Sequence, residues 1–436
     1  MAREARGSGF ASARFGGEHG HVTATNPTAL YFNPAGIALS AGVHLFADGT
    51  LALRSLSWSH AEASVAADSP SAAANAGTAT LFNVFGAPML GATLGLGRLA
   101  LGAALYVPLG GRTHWSRNET FAGSDRYPLA VDGVQRWHSI KGAITHLYGS
   151  AGAAYRVGPL SLGVALNIIR SQVSSVRAKN FSGDTLPNLD NEGRATIDVS
   201  SVHASFGAGV LLEALPERLW LGASYQAQPG LGAIRHDGTL TIEDRGVASE
   251  QGISMHEALP DIIRLGGRFR PIEAWELRLF GDLTRWSVAR TTCLALRGKP
   301  CVVTASGADP NGGVIPLNLL RAWHDTVGVR AGASYWPRPE IELFAGTGFE
   351  TAATPDKTID PELPDANNLA AALGARWQLR SGVFVSGSYT HIQYLTRDTS
   401  GRSILPLADV PTRRPDGGGR YMQWIGVLNG NVEVEF

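Results

Sequence analysis

The 436-residue chain balances 37 Lys+Arg against 37 Asp+Glu, so no net charge argues for a nucleic-acid or acidic-surface partner. Only 17% of residues are charged and 53 are glycine, a low charge content for a water-soluble protein. No run of about 18 apolar residues exists to cross a bilayer as a helix, which argues against a helical membrane protein.

The opening stretch, MAREARGSGF, carries no apolar core of a signal peptide. The chain is then either cytosolic or processed, with Met1 added. Next comes NPTALYFNPAG at 26–36. Each proline fixes its own φ and pushes the residue before it into extended or turn geometry, so neither a continuous helix nor a ladder strand fits. Residues 1–42 are therefore expected to form a compact irregular plug.

From about residue 43 the chain alternates apolar and polar residues with a period of two, the signal of strands. Around 262–270, Ile263, Leu265 and Phe269 oppose Arg264, Arg268 and Arg270; near 275–284, Trp275, Leu277, Leu279 and Leu283 oppose Glu276, Arg278, Asp282 and Thr284. Farther on, Ile341, Leu343, Ala345 and Phe349 oppose Glu342 and Glu350. The last segment sets Met422, Trp424, Leu428, Val432, Val434 and Phe436 against Gln423, Asn429, Asn431, Glu433 and Glu435.

Six connections are short, at Gly97-Arg98, 156–159, 214–218, 271–274, 337–339 and 380–382. Seven are long and polar, near 60–78, 111–138, 178–195, 230–256, 297–322, 354–367 and 399–420. Strict alternation of the two kinds predicts fourteen strands with both termini on the short-turn side. Tyr155, Trp220, Trp275, Tyr335, Trp336 and Trp377 cluster at those turns. In hydrocarbon a sheet spans only by closing on itself, with apolar residues outward, polar residues inward, short periplasmic turns and aromatic belts. The fold class predicted is all-β: a fourteen-stranded antiparallel transmembrane β-barrel over 43–436, with an N-terminal hatch over 1–42 in the lumen. A soluble propeller also alternates, but it would repeat a blade motif.

Several segments in order resemble the FadL/TodX family of outer-membrane transporters of long-chain fatty acids and other hydrophobic compounds. They are NPTALYFNPAGIAL with Asn33-Pro34-Ala35 at its core, LYVPLG (105–110), LPDIIRLGGRFRP (259–271) followed by Trp286-Ser287, WHDTVGVRAGASY (323–335), PDKTIDPELPDANN (355–368) leading into LGARWQL, SGSYTHIQYL (386–395), and a terminal strand ending in Phe436. The resemblance implies a monomeric barrel in the outer membrane whose ligand binds near the extracellular loops and moves to an inner apolar site. It then leaves sideways through a gap at a kinked strand as the hatch moves. Passive passage of long-chain fatty acids is the expected function, with neutral hydrocarbons or aromatics as the alternative and a lipid hydrolase less favoured. Partners are then a hydrophobic small molecule and membrane lipid, with no cofactor and no nucleic acid.

Within that frame, Leu30, Tyr31, Phe32, Asn33, Pro34 and Ala35 either touch the ligand or pack the hatch on the wall. Strand parity turns Arg264, Arg268, Arg278, Arg330 and Arg376 inward, along with Glu276, Asp282 and Glu342. Arg264 and Arg330 are the candidate cations for a carboxylate; pairing with luminal acids is the structural alternative. Pro108, Gly110 and Gly111 mark either a lateral exit or the end of the third strand, because proline donates nothing to a ladder and glycine permits bulges. Cys293 and Cys301 form a loop disulfide or remain free thiols. The twelve histidines make no HExxH, and no metal site is expected. No GxSxG or nucleotide loop in strand–helix context supports an enzyme. Of the Ser/His pairs, Ser388 and His391 face opposite sides, while His203 and Ser205 share one.

Overall fold

The computed structural model describes residues 14–60, 72–180, 185–244 and 246–436. Its strands, in chain order, are β1 Gly42–His60, β2 Gly77–Leu96, β3 Leu99–His114, β4 Lys141–Val157, β5 Leu160–Asn180, β6 Glu192–Leu215 and β7 Leu219–Gln226. There follow β8 Ala233–Asp244, β9 Val247–Ala258, β10 Ile262–Ile272, β11 Trp275–Thr284, β12 Thr291–Leu296 and β13 Leu317–Leu320. The set ends with β14 Thr326–Arg338, β15 Ile341–Glu350, β16 Asn368–Arg380, β17 Val383–Tyr394, β18 Arg397–Asp398 and β19 Arg420–Glu435.

Fourteen of these make the wall. Each pairs antiparallel with its neighbours, β7 with β10, β11 with β14 and β17 with β19, and β19 returns to β1 from His44↔Glu435 to Ser59↔Arg420. No wall strand is left as a sheet edge, as hydrocarbon requires. The predicted parity holds around the ring. Leu265, Leu279 and Leu166 stand 59%, 61% and 69% exposed on the outer face, while Arg278, Glu276 and Glu342 are buried on the inner one. All six short turns fall where the sequence places them, with Tyr155, Trp275, Tyr335 and Trp377 exposed beside them.

The long loops differ from expectation in extent. Strands β3, β5 and β6 run beyond the expected loop boundaries, to His114, to Asn180 and from Glu192. The stretch at 230–256 is no irregular loop. It holds the β8–β9 hairpin, whose β8 pairs with the top of β6 from Arg194↔Glu243 to Ser200↔Asp237, while β9 pairs with β12 and β12 with β13. This outer sheet shares a core with the tops of the wall strands, in which Leu240, Ile253, Met255 and Leu294 pack with Ile144, Val173, Ile197 and Val199. Its other face is exposed and polar, so its composition reads as loop.

Residues 14–40 lie inside the barrel. Their regular pieces are a 3-10 turn over Gly17–His19, a four-residue helix, α1 (Ala29–Phe32), and a 3-10 turn over Pro34–Leu39. Asn33 explains the break between them. Its Oδ1 accepts from Ala35 N at 3.2 Å, capping the turn that Pro34 begins, while its Nδ2 donates to the Val22 carbonyl at 2.8 Å and the Val210 carbonyl of β6 at 2.9 Å. One side chain thus satisfies the hatch and fastens it to the wall.

The wall is shaped to receive this segment. Gly102 pairs with Gly152 across β3 and β4, and Gly163 with Gly209 across β5 and β6. A methyl on Gly163 would sit 2.3 Å from Ala35 N, one on Gly209 1.9 Å from Asn33 Oδ1, and one on Gly152 2.7 Å from Leu30 Cδ2. The four glycines form a trough for residues 30–35. Beside it Phe15, Tyr31, Tyr106 and Tyr148 pack ring to ring at 5.4–5.6 Å, and Ser224 Oγ donates to the Phe32 carbonyl at 2.6 Å.

Candidate functional site

At the outer mouth, a groove of about 320 Å³ runs between the tops of β5 and β6, the outer sheet and residues 410–415. Its apolar lining includes Ile197, Leu240, Ile242, Leu294, Ile315, Leu317 and Val410, and its cationic lining is Arg177, Lys179, Arg413 and Arg414. Arg177 and Arg414 are committed to Glu362, at 2.6 and 3.5 Å, where Arg321 joins them at 3.0 Å. Burial alone would raise the Glu362 carboxyl, but Arg177, Arg321 and Arg414 hold it well below its ordinary value. Lys179 has no ion-pair partner among the described residues.

Deeper in, the hatch and strands β10, β11, β14 and β15 enclose about 50 Å³ lined by Tyr31, Phe32, Arg264, Asp282, Arg330 and Glu350, room for a few waters. Arg264 reaches Gln226 Oε1 at 3.2 Å and the Tyr31 carbonyl at 3.3 Å, and its guanidinium lies 4.6 Å from the Tyr31 ring centre. The other luminal arginines divide clearly. Arg268 and Arg278 meet Glu276 at 3.8 and 3.5 Å, and Arg376 meets Glu433 at 2.8 Å. Neither Arg264 nor Arg330 has an ion-pair partner among the described residues, and both line this one cavity.

Of the hatch residues singled out, Tyr31 and Phe32 face the cavity. Leu30, Asn33, Pro34 and Ala35 lie against the glycine trough instead.

Pro108, Gly110 and Gly111 lie within β3 rather than past its end. Two residues, Val107 and Pro108, oppose the single Leu147 of β4, because Tyr106 pairs with Tyr148 and Leu109 with His146. This bulge coincides with a lapse on the other edge. The β2–β3 ladder runs from Leu96↔Leu99 only as far as Met89↔Tyr106, although β2 continues to Gly77 and β3 to His114. The strands meet again where Asn83 Nδ2 donates to the His114 carbonyl at 3.1 Å and Ser116 N to the Thr80 carbonyl at 2.9 Å. Between these points no ladder joins the two strands among the described residues.

Cys293 and Cys301 are disulfide-bonded, with Cα atoms 6.2 Å apart. His203 and Ser205 do not pair with each other: His203 contacts Ser201 and Ser171, and Ser205 accepts from Asn167 at 3.1 Å. The sequence reading missed the polar chain to which His203 belongs. It runs from His146 through Ser171, His203 and Ser201 to His236 and Glu257, with links of 2.6–3.4 Å, and stitches the β8–β9 hairpin to the wall. The groove-lining residues, distant in sequence, were missed as well.

A closed fourteen-stranded barrel with a plugged lumen, short turns on one rim and long loops on the other is a channel of the bacterial outer membrane. Residues 1–400 match the family described as "Outer membrane protein transport protein (OMPP1/FadL/TodX)", and the chain belongs to that family. It is an outer-membrane transporter of hydrophobic compounds. Among solved structures, a Pseudomonas aeruginosa FadL homologue is similar over 100% of both chains at 15% identity with a TM-score of 0.77. The Ralstonia pickettii toluene transporter TbuX is similar over 98% of both chains at 15% identity and a TM-score of 0.63. The Pseudomonas putida toluene transporter TodX gives 14% identity and a TM-score of 0.63 over 99% of this chain and 98% of that one. At these identities the likeness speaks for the fold alone. A search of curated protein sequences returned no match.

Proposed function

We propose that the protein is a monomeric, passive channel for long-chain fatty acids, with no catalytic step, taking them in at the outer groove and releasing them sideways between β2 and β3. One observation favours an acid over a neutral hydrocarbon: the groove is lined by apolar side chains together with cations, of which Lys179 has no ion-pair partner among the described residues. Its volume falls within the ordinary range of small-molecule sites, and a carboxylate beside an ammonium makes a charge-assisted hydrogen bond. Arg264 and Arg330 lie lower down beside Tyr31 and Phe32, in a cavity that Asp282 and Glu350 also line. The inner cavity is too small for an acyl chain, so passage needs the hatch to yield. The lapse in the β2–β3 ladder supports the sideways route, because unpaired backbone in hydrocarbon is costly and has no structural use there.

The test compares palmitic acid with hexadecanol on detergent-purified protein. Lys179→Gln and Arg264→Gln each weaken acid binding roughly ten- to a hundredfold, the value of a hydrogen bond to a charged group, and leave the alcohol nearly unchanged. If the two ligands bind alike before and after, the carboxylate anchor is wrong and a neutral hydrocarbon takes its place.

A further inference from the structure

The barrel's seam joins its first wall strand to its last, and at the periplasmic end of that seam three donors converge from the inner face. His44 sits on β1, directly opposite Glu435 of β19, with Glu433 two residues away. The His44 Nε2 lies 3.0 Å from the Ala41 carbonyl. A carbonyl only accepts, so Nε2 carries the hydrogen, and in the neutral ring Nδ1 offers a lone pair. That Nδ1 is buried and makes no hydrogen bond. It faces Glu435 Oε1 at 3.6 Å and Glu433 Oε1 at 3.8 Å, and the three donor atoms lie within 4.8 Å of one another.

A proton on Nδ1, or a metal cation between the three groups, relieves the repulsion of lone pairs turned toward a common point. We propose that His44, Glu433 and Glu435 bind a zinc ion. Bonds of about 2.0–2.1 Å in a tetrahedron set donors roughly 3.4 Å apart, so the two contacts to His44 Nδ1, at 3.6 and 3.8 Å, need to close by only a few tenths of an ångström, while the carboxylate oxygens, within 4.8 Å of each other, close by at most about 1.4 Å. The outer shell is already in place, as metal sites require. Ala41 fixes the imidazole tautomer, and Arg376 holds the other oxygen of Glu433 at 2.8 Å. Glu435 is 36% exposed, which leaves an entry path and a fourth position toward the periplasm. Imidazole with carboxylates suits zinc better than calcium or magnesium. Sequence motifs could not reveal the site, since its ligands come from opposite ends of the chain. The bound ion staples β1 to β19 beside Gly42, where the hatch joins the wall.

The test uses the full-length protein without a polyhistidine tag, folded in detergent, stripped with chelator and titrated with zinc chloride against a competing indicator. One zinc per barrel is expected, with affinity at least about tenfold weaker in His44→Ala and in Glu435→Gln. Heat-modifiable gel mobility supplies the second readout: zinc raises the unfolding temperature of the wild type and not that of either variant. Glu435 is about one-third exposed, so its variant keeps the barrel should His44→Ala fail to fold. A folded wild type that binds no zinc overturns the proposal, as do variants that bind it as tightly as the wild type.

Discussion

Adding one methyl group at Gly163 should loosen the hatch without disturbing the barrel. The methyl would lie 2.3 Å from Ala35 N and 2.4 Å from Pro34 C, both backbone atoms that cannot swing aside as a side chain can. Overpacking of this kind typically costs about 1–3 kcal/mol. The strain falls on hatch docking, because β5 pairs with both neighbours through backbone groups that the methyl leaves alone. At about 1.36 kcal/mol per tenfold, the released fraction of hatch rises roughly five- to 150-fold. Gly149→Ala is the control, since the nearest atom to its new carbon is the Ile168 carbonyl at 3.9 Å. Liposome swelling with small sugars measures the open fraction, and heat-modifiable mobility reports the barrel. Faster swelling is expected for Gly163→Ala alone; equal rates for the two variants, both folded, would refute the trough as the hatch's seat.

Deleting residues 1–41 should leave a barrel that inserts and leaks small solutes, checked by circular dichroism and the same swelling assay; a chain that cannot fold without them is not a separable hatch and wall. Removing Pro108 from the β3 bulge restores one-to-one pairing with β4 and lets the β2 ladder continue. Transfer of a fluorescent fatty acid into vesicles should then fall by about an order of magnitude or more while binding at the groove persists. At the outer mouth the Glu362 carboxyl is depressed in the folded state, so its contribution is fully present above the ordinary carboxylate value and is lost as pH falls through the depressed one. Limited proteolysis of the outer loops should therefore stay flat from neutral pH to about 4 and rise in stronger acid. Glu362→Gln should make the loops sensitive already at neutral pH, by leaving Arg177 without its anion and Arg321 and Arg414 to share Asp360 alone.

Much of the wall was legible because membrane strands are read locally. Leu265 beside Arg264, and Leu279 beside Arg278, declare their faces within two residues, and the lipid allows no exceptions in between. The β8–β9 hairpin lacked that constraint: above the membrane its outer face meets water, so Thr239, Thr241 and Glu243 looked like loop residues. The hatch was legible as irregular from its two Asn-Pro pairs, but its seat was not, since Gly102, Gly152, Gly163 and Gly209 acquire meaning only when four strands lie side by side. Parity singled out the inward arginines. Which of them lack a carboxylate depended on distances within and between neighbouring strands, as Glu276 serves both Arg268 and Arg278. The groove was invisible for the same reason, with Lys179, Leu240, Leu317 and Pro411 contributed by four separate segments.

The bare stretch of wall under residues 30–35 has a bearing on how wide the passage can become. Where the inner surface is only backbone, withdrawing the plug frees a slot as deep as the side chains that were never there, and no strand need shift. Calibre on that side of the pore is thus a property of the removable piece, and exchanging bulk at Leu30 or Ala35 should retune which cargo fits while the surrounding cylinder stays rigid.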